Sequence, residues 1–317
     1  MSVPWRAGGA AGVWSNSRRL IVLAVAYQWF YNGANYLAFK IAGDALHPLI
    51  VATIRFAVAG LLLLPFAIAR RKRASVTPRQ IVNAAIVGII LLVASQALAI
   101  WGTHFLPAGV ASVFGSAAPL FLALFAWAIY GRPLTRRQLA GVVIGFVGLA
   151  LIGWSSATNA GFSLVGAGLT LTASACWALG SLLAPRLKQP DDSLVALTTQ
   201  LLAAGFLLAL IVTAAGLAGK ARFDHVPLSA WGAIGFLIVA STLIGYAVFL
   251  ALNSHVSSTL ANTFNYAAPV ISILLAALLL HEPLTTAKIA AATITLAGVA
   301  LMIGGSDGKR AHVTERT

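Results

Sequence analysis

Residues 117–153 read AAPLFLALFAWAIYGRPLTRRQLAGVVIGFVGLALIG, and residues 267–303 read AAPVISILLAALLLHEPLTTAKIAAATITLAGVALMI. The two stretches align without a gap at an offset of 150 positions, with 13 identities in 37. Ala-Leu-rich helices share letters by chance, but this alignment also matches two prolines and a glycine. The matched pairs are Pro119 with Pro269, Pro133 with Pro283, and Gly148 with Gly298. The chain is therefore predicted to contain two copies of one unit.

The composition places this repeated unit in a lipid bilayer. Hydrophobic residues make up 60% of the chain and charged residues only 9%, whereas soluble proteins carry about 25% charged residues. A helix needs about 20 mostly apolar residues to cross a bilayer, and ten stretches meet that need. They are residues 20–39, 47–69, 80–103, 107–130, 137–155, 162–184, 194–217, 227–250, 256–280 and 285–304. The prediction is an all-α integral membrane protein with ten transmembrane helices.

The Lys and Arg residues orient these ten spans. With the N-terminus in the cytoplasm, 16 of the 21 fall in inside segments and four in outside segments, while Arg55 lies within a span. Basic loops favour the cytoplasmic side of a membrane, so we expect both termini to be cytoplasmic. This bias explains the net charge of +14, and nucleic-acid binding is not expected.

The repeat divides the chain into a tail at residues 1–19, a five-helix unit at 20–155, a second five-helix unit at 156–304 and a tail at 305–317. Because five is an odd number, the second unit enters the membrane from the opposite side to the first. The two units are therefore predicted to be inverted repeats. This architecture is common in secondary transporters, whose substrate site lies near the midplane where the halves meet.

The first span carries polar side chains on one face. Gln28, Asn32, Asn35 and Tyr36 recur at intervals that place them on one side of a helix. An amide that faces lipid loses its hydrogen bonds, so this face either bonds to neighbouring helices or, as four polar groups favour, lines a cavity. The predicted substrate-binding residues are polar or aromatic at membrane depth: Gln28, Asn32, Tyr36, Gln96, Trp101, Trp177, Asn262, Asn265 and Tyr266.

Two prolines and one arginine lie inside predicted spans. Pro119 and Pro269 each remove a backbone hydrogen bond, so each is expected to bend its helix. Interrupted spans at corresponding positions of two repeats indicate a transport site. Arg55 lies about 12 Å into the second span, where a buried charge indicates either a functional group or a structural hydrogen bond to a neighbouring helix.

These residues together resemble the EamA-type members of the drug/metabolite transporter superfamily, over residues 20–304. The resemblance is carried by ten spans in two halves, Arg55 in the second span, and the Ala-Ala-Pro of each half. It also includes Glu282, which opens a Glu-Pro-Leu-Thr motif present only in the second copy, with a helix cap or an outer-face contact as its expected role. The family implies a bacterial inner-membrane carrier, and the polar first helix resembles that of exporters of aromatic and other neutral amino acids.

The positions of the acidic residues bear on the class of function and on the substrate. An enzyme is not expected, because all seven acids lie outside the span interiors and no catalytic or metal-binding cluster is present; no cofactor is expected either. The expected partners are a small-molecule substrate and the lipid bilayer, with the protein as a monomer. The absence of buried acids favours a neutral or zwitterionic substrate, amino acids first. The alternatives are a permease for a sugar- or nucleoside-like metabolite, or a channel-like membrane protein.

Overall fold

The computed structural model describes residues 18–71, 76–131, 133–157, 162–255 and 263–314. These residues form helices joined by turns, with no strand among them. The long helical rods are numbered in chain order. They are α1 Arg18–Ala45, α2 Pro48–Arg71, α3 Pro78–His104, α4 Ala108–Tyr130, α5 Arg136–Ala157, α6 Leu164–Leu183, α7 Ser193–Ala214, α8 from Leu228–Phe236 through Leu237–Ile244 to Gly245–His255, α9 Phe264–Leu279 and α10 Thr286–Thr314.

Eight of the described rods are long and apolar enough to cross a membrane, all except α1 and α9. These helices confirm the predicted all-helical membrane architecture. The count of ten spans stays a prediction. In α1 the polar side chains lower the hydropathy, and α9 has only 16 described residues. The predicted start of the ninth span, at 256–262, lies outside the described residues. Helix α10 continues to Thr314, so the described part of the expected C-terminal tail is helical.

Two pairs of helices make the most extensive contacts, α5 with α10 and α2 with α7. Glycines allow the backbones to approach closely. Gly141 packs against Met302 and Gly148 against Thr295, so α5 and α10 run antiparallel. In the second pair Gly60 packs against Leu202, and Gly205 against Ala57, with the same antiparallel sense. Gly141 and Gly148 of α5 therefore lie in one helix interface with α10.

Helices α3 and α8 each contain a π-helical segment near the middle. The first covers Ile89–Ala97 and the second Leu237–Ile244. Shifted by the repeat offset of 150 positions, the first segment overlaps the second. Within the second, the hydroxyl of Thr242 donates to the carbonyl of Leu237 at 2.8 Å. Wide π turns are rare and occur frequently at functional sites.

Helix α4 is interrupted just before Pro119, whereas the described part of its counterpart α9 is continuous. The first part of α4 ends at Gly115 and the second begins at Ala118, directly before Pro119. Helix α9 instead continues without a break through Pro269. The sequence predicts a bend at each proline, and the bends at Pro119 and Pro269 stay predictions.

The buried apolar side chains form two main clusters. One joins α1, α2, α3, α7 and α8, and the other joins α4, α5, α6 and α10. Tyr36 of α1 packs against both clusters. The polar face of α1 therefore lies where the two clusters meet.

Candidate functional site

Arg55 is a buried cation in the interior of the helices. It lies seven residues after Pro48, about 10 Å along α2, and its side chain is only 5% exposed. Its guanidinium donates to uncharged oxygens: Nε to Thr242 Oγ1 at 2.9 Å, Nη2 to Ser241 Oγ at 3.0 Å, and Nη1 to Gln96 Oε1 at 3.4 Å. These four residues are called the Arg55 cluster below.

The Arg55 cluster contains no acidic partner. Among the described residues, no carboxylate forms an ion pair with Arg55. The guanidinium carbon instead lies 5.6 Å from the ring centroid of Phe39 and 5.2 Å from that of Phe56. Aromatic faces attract cations, and arginine keeps its proton in proteins. Within the described residues, the positive charge of Arg55 is therefore compensated by hydroxyl and amide dipoles and by aromatic rings, without a negatively charged group.

The Arg55 cluster connects the two π-helical segments. Gln96 belongs to the segment in α3, and Ser241 and Thr242 belong to the segment in α8. Arg55 is 186 residues from Ser241 and 187 from Thr242 along the chain. A single side chain from the first half thus bridges equivalent segments of both halves.

The polar face of α1 packs against the same part of α8. The hydroxyl of Tyr27 donates to the carbonyl of Ala240 at 2.8 Å, and the ring of Tyr31 lies directly against Gly245. On this face, Gln28 Nε2 and Asn35 Oδ1 are buried and have no hydrogen-bond partner. Buried polar atoms normally have partners, so these two atoms have unused hydrogen-bonding capacity.

Two other predicted residues of α1 are packed within the protein. The side-chain amide of Asn32 donates to the backbone carbonyl of Gln28 at 2.8 Å. The hydroxyl of Tyr36 lies so close to Gly115 that any Cβ there would collide with it. The hydroxyl of Ser174 on α6 lies within hydrogen-bond distance of the carbonyls of Phe114 and Gly115, at 3.1 and 3.2 Å, and of Thr170 on its own helix, at 3.1 Å. The interruption of α4 is therefore held from both sides, by α1 and by α6.

The remaining predicted residues are distributed over several helices. Trp101 lies near the end of α3 that faces the start of α2, with its ring 5.9 Å from that of His47. Trp177 is half-buried on α6, and Asn265 is half-buried at the start of α9. Tyr266 packs against the second apolar cluster and donates to the carbonyl of Val299 at 3.5 Å. Of the nine predicted residues, Asn262 lies outside the described residues.

Glu282 caps a helix from the other half of the chain. Its Oε1 accepts from the backbone N–H of Ala108 at 2.6 Å, and its Oε2 from that of Gly109 at 3.3 Å. Pro107, the residue before α4, provides no side-chain cap. A carboxylate at a helix N-terminus satisfies free N–H groups and interacts favourably with the helix dipole. Of the two expected roles, the structure shows the helix cap.

A polar cluster lies at the end of the protein where α1 and α3 end. Asp44 Oδ1 lies 3.1 Å from Lys40 Nζ and 2.9 Å from His104 Nδ1, and Lys40 also donates to the carbonyl of His104 at 2.8 Å. Burial lowers the pKa of the adjacent His47, and the nearby His104 acts in the same direction.

Sequence reasoning did not place Arg55, Ser241 and Thr242 among the predicted binding residues. A charge inside a span was the available signal for Arg55, and the two hydroxyl residues lie within an apolar run of α8. Their importance depends on contacts across more than 180 positions of the chain. No single window of sequence contains both the cation and its acceptors.

Comparison with known families gives two matches to one family. The model of the EamA-like transporter family matches residues 19–154 and again residues 164–304. The double match shows two repeats of the EamA type and confirms the resemblance drawn from the sequence. No group of three or more His, Cys, Asp or Glu side chains that could hold a metal ion occurs in the described ranges.

Individual relatives extend over most of the chain. The uncharacterized inner membrane transporter YedA of Escherichia coli K12 is 30% identical over 274 residues, which cover 86% of this chain and 87% of that protein. A probable amino-acid metabolite efflux pump of Salmonella typhimurium LT2 is 24% identical over 291 residues, 90% and 94% of the two chains. One solved crystal structure has a TM-score of 0.60 at 19% identity, covering 90% of this chain and 98% of that one; at this identity it shows a shared fold.

Proposed function

Since this chain belongs to the EamA-like transporter family, we propose that it is an inner-membrane carrier that exports small neutral or zwitterionic metabolites by alternating access. Amino acids, aromatic ones included, are the proposed substrates. Support for this class comes from a relative described as a probable amino-acid metabolite efflux pump. Support for the location comes from YedA, described as an inner membrane transporter, and from the eight apolar helices.

The antiparallel helix pairs support an inverted arrangement of the two repeats. Helix α5 corresponds to α10 in the repeat, and the two pack antiparallel through Gly148 and Thr295. Helix α2 and its counterpart α7 pack antiparallel as well, through Gly60 and Leu202. Copies that face opposite sides of a membrane can exchange conformations, so that one site opens to each side in turn.

The observation that carries the proposal is the Arg55 cluster, because it joins the halves at a polar layer inside apolar helices. Polar groups in membrane interiors are rare and mark substrate pathways. Here hydroxyl and amide groups of α3 and α8 converge on one cation of α2. A site at this position is reached from either side only if the helices around it separate, as alternating access requires.

The test is counterflow in liposomes that contain the purified protein. Labelled phenylalanine outside should enter faster when unlabelled phenylalanine is present inside, and the rate should saturate. A channel gives no acceleration by internal substrate, so its absence with rapid equilibration would favour the channel-like alternative. Uptake of labelled glucose or uridine without uptake of any amino acid would favour the sugar- or nucleoside-like alternative.

A further inference from the structure

Arg55 is a buried cation whose counter-ion is missing from the described protein. We propose that Arg55 binds the carboxylate of the transported substrate, so that a carboxylate group is required for transport. This inference rests on the proposed function and narrows it. Amino acids meet the requirement, whereas their amides, simple amines, sugars and nucleosides do not.

The hydrogen bonds of Arg55 leave room for an anion. A guanidinium has five N–H groups, and three are used by Thr242, Ser241 and Gln96. The other two, one on each terminal nitrogen, have no acceptor among the described residues. Two N–H groups are the number that a carboxylate accepts in a bidentate pair with arginine. Burial of a charge is unfavourable without a partner, so an anion that enters this site gains a strong and specific interaction.

The polar face of α1 provides an independent observation. Gln28 is 2% exposed and Asn35 is 8% exposed, yet Gln28 Nε2 and Asn35 Oδ1 have no partner. Phe39, one turn after Asn35, lies against the guanidinium of Arg55. An unpaired buried polar atom is costly. The free acceptor of Asn35, one turn from Phe39, suits the ammonium group of a zwitterion whose carboxylate binds Arg55.

The position of the cluster links substrate binding to movement. Arg55 is 5% exposed, so a substrate reaches it only after the helices around it separate. A carboxylate would then pair with the two N–H groups of Arg55 that have no acceptor in the described residues. Substrate binding thus requires the helices around Arg55 to separate first, which suits a carrier that opens to one side at a time.

The first experiment uses the unchanged protein and compares ligands that share the 3-phenylpropanoyl skeleton. Labelled phenylalanine uptake into liposomes is measured against excess phenylalanine, N-acetylphenylalanine, 3-phenylpropionate and phenylalaninamide. The three carboxylates should compete, and phenylalaninamide should compete at least about tenfold more weakly, because it lacks the charge-assisted pair. The thermal stability of the purified protein, measured with each compound and with glucose and uridine, should show the same order.

The second experiment uses variants of two arginines on α2. Arg55→Gln should lose the preference for phenylalanine over phenylalaninamide, and Arg55→Lys, which keeps the charge, should retain part of it. Arg71→Gln is the matched control, because Arg71 is exposed at the end of the same helix. If Arg55→Gln does not fold, the ligand comparison on the unchanged protein still decides.

The outcomes separate this inference from the proposed function. Equal competition by phenylalanine and phenylalaninamide would overturn the inference and leave amino-acid export standing. Binding of 3-phenylpropionate without any amino acid would support the inference and refute amino-acid export. If none of the three carboxylates binds, whether or not glucose or uridine binds, the role of Arg55 is refuted.

Discussion

Gly148 of α5 and Thr295 of α10 approach so closely that a Cβ on the glycine would lie 2.5 Å from the backbone nitrogen of Thr295. The repeat partners of these two residues make a contact of the same form. Gly298, the repeat partner of Gly148, meets Gly145, the repeat partner of Thr295. Equivalent positions of the two copies thus exchange roles across one interface, as they do across a two-fold axis.

The first prediction follows from this interface. Gly148→Ala should lower the melting temperature in detergent, because overpacking of a tight interface typically costs about 1–3 kcal/mol. Gly168→Ala is the control, since Gly168 is exposed on α6 and nothing lies within 4 Å of an added Cβ. Helix propensity favours alanine there, so the control should be unchanged or slightly stabilised. An unaffected Gly148→Ala protein would contradict the close packing.

The repeat and the helix interfaces could be predicted from sequence because they depend on letters that recur at fixed spacing. Gly148 and Gly298 match at the repeat offset, and the structure places both in one interface. The π-helical segments could not be predicted in this way. Residues 89–97 read IILLVASQA, which contains no proline or glycine to mark an irregular turn. Contacts with distant helices, such as that between Gln96 and Arg55, are invisible in a local window.

The candidate site was predicted only in part for a related physical reason. Polarity at membrane depth identifies Gln28, which is buried on α1 with no partner for its Nε2, and Gln96, which accepts from Arg55. The same criterion cannot separate a side chain that faces a substrate from one that bonds to its own helix, as Asn32 does. It also gives no weight to a serine and a threonine in an apolar run, although Ser241 and Thr242 receive hydrogen bonds from the buried cation.

The second prediction concerns the predicted binding residues away from Arg55. Asn265→Ala and Trp101→Ala should each weaken phenylalanine transport while expression and melting temperature stay near those of the unchanged protein. Loss of one buried hydrogen bond typically costs about 1–3 kcal/mol, which corresponds to roughly 5- to 150-fold in affinity. Uptake is measured over a range of substrate concentrations. Unchanged transport in both variants would move the substrate path away from these residues.

The third prediction concerns the cap at the start of α4. Glu282→Ala removes the acceptor of the Ala108 and Gly109 N–H groups, and loss of a helix cap costs about 0.5–2 kcal/mol. The melting temperature should fall. Glu282→Gln retains one carbonyl acceptor and should show a smaller decrease. Equal stability of all three proteins would show that the contact does not stabilise α4.

The fourth prediction concerns the orientation of the chain. The excess of Lys and Arg in alternate connecting segments predicts that both termini are cytoplasmic. Reporters fused after Arg73, after Arg137 and at the C-terminus should all report a cytoplasmic location, whereas a reporter inserted at Lys220 should report the periplasm. A periplasmic C-terminus would refute the model of ten spans.

The last prediction concerns the energy source of transport. Proton-coupled carriers usually place an ionisable group on the substrate path, most often Asp or Glu. In the described residues, Asp44 binds Lys40 and His104 at one end of the protein, and Asp192 lies 3.6 Å from Arg70 at the end of α2. Glu282 caps α4. None of these acids contacts the Arg55 cluster, so we expect transport down the substrate gradient without proton exchange.

The measurement is uptake into liposomes with substrate outside and no ion gradient, which should proceed to equal concentrations on both sides. A pH difference is then imposed while potassium and valinomycin hold the voltage, and the final substrate level should not change. The control is a sodium gradient under the same conditions, because backbone carbonyls can bind sodium without any acidic side chain. Accumulation driven by the pH difference alone would contradict the prediction. His104 would then be the first residue to replace, since its contact with Asp44 pairs two titratable groups at one end of the helices.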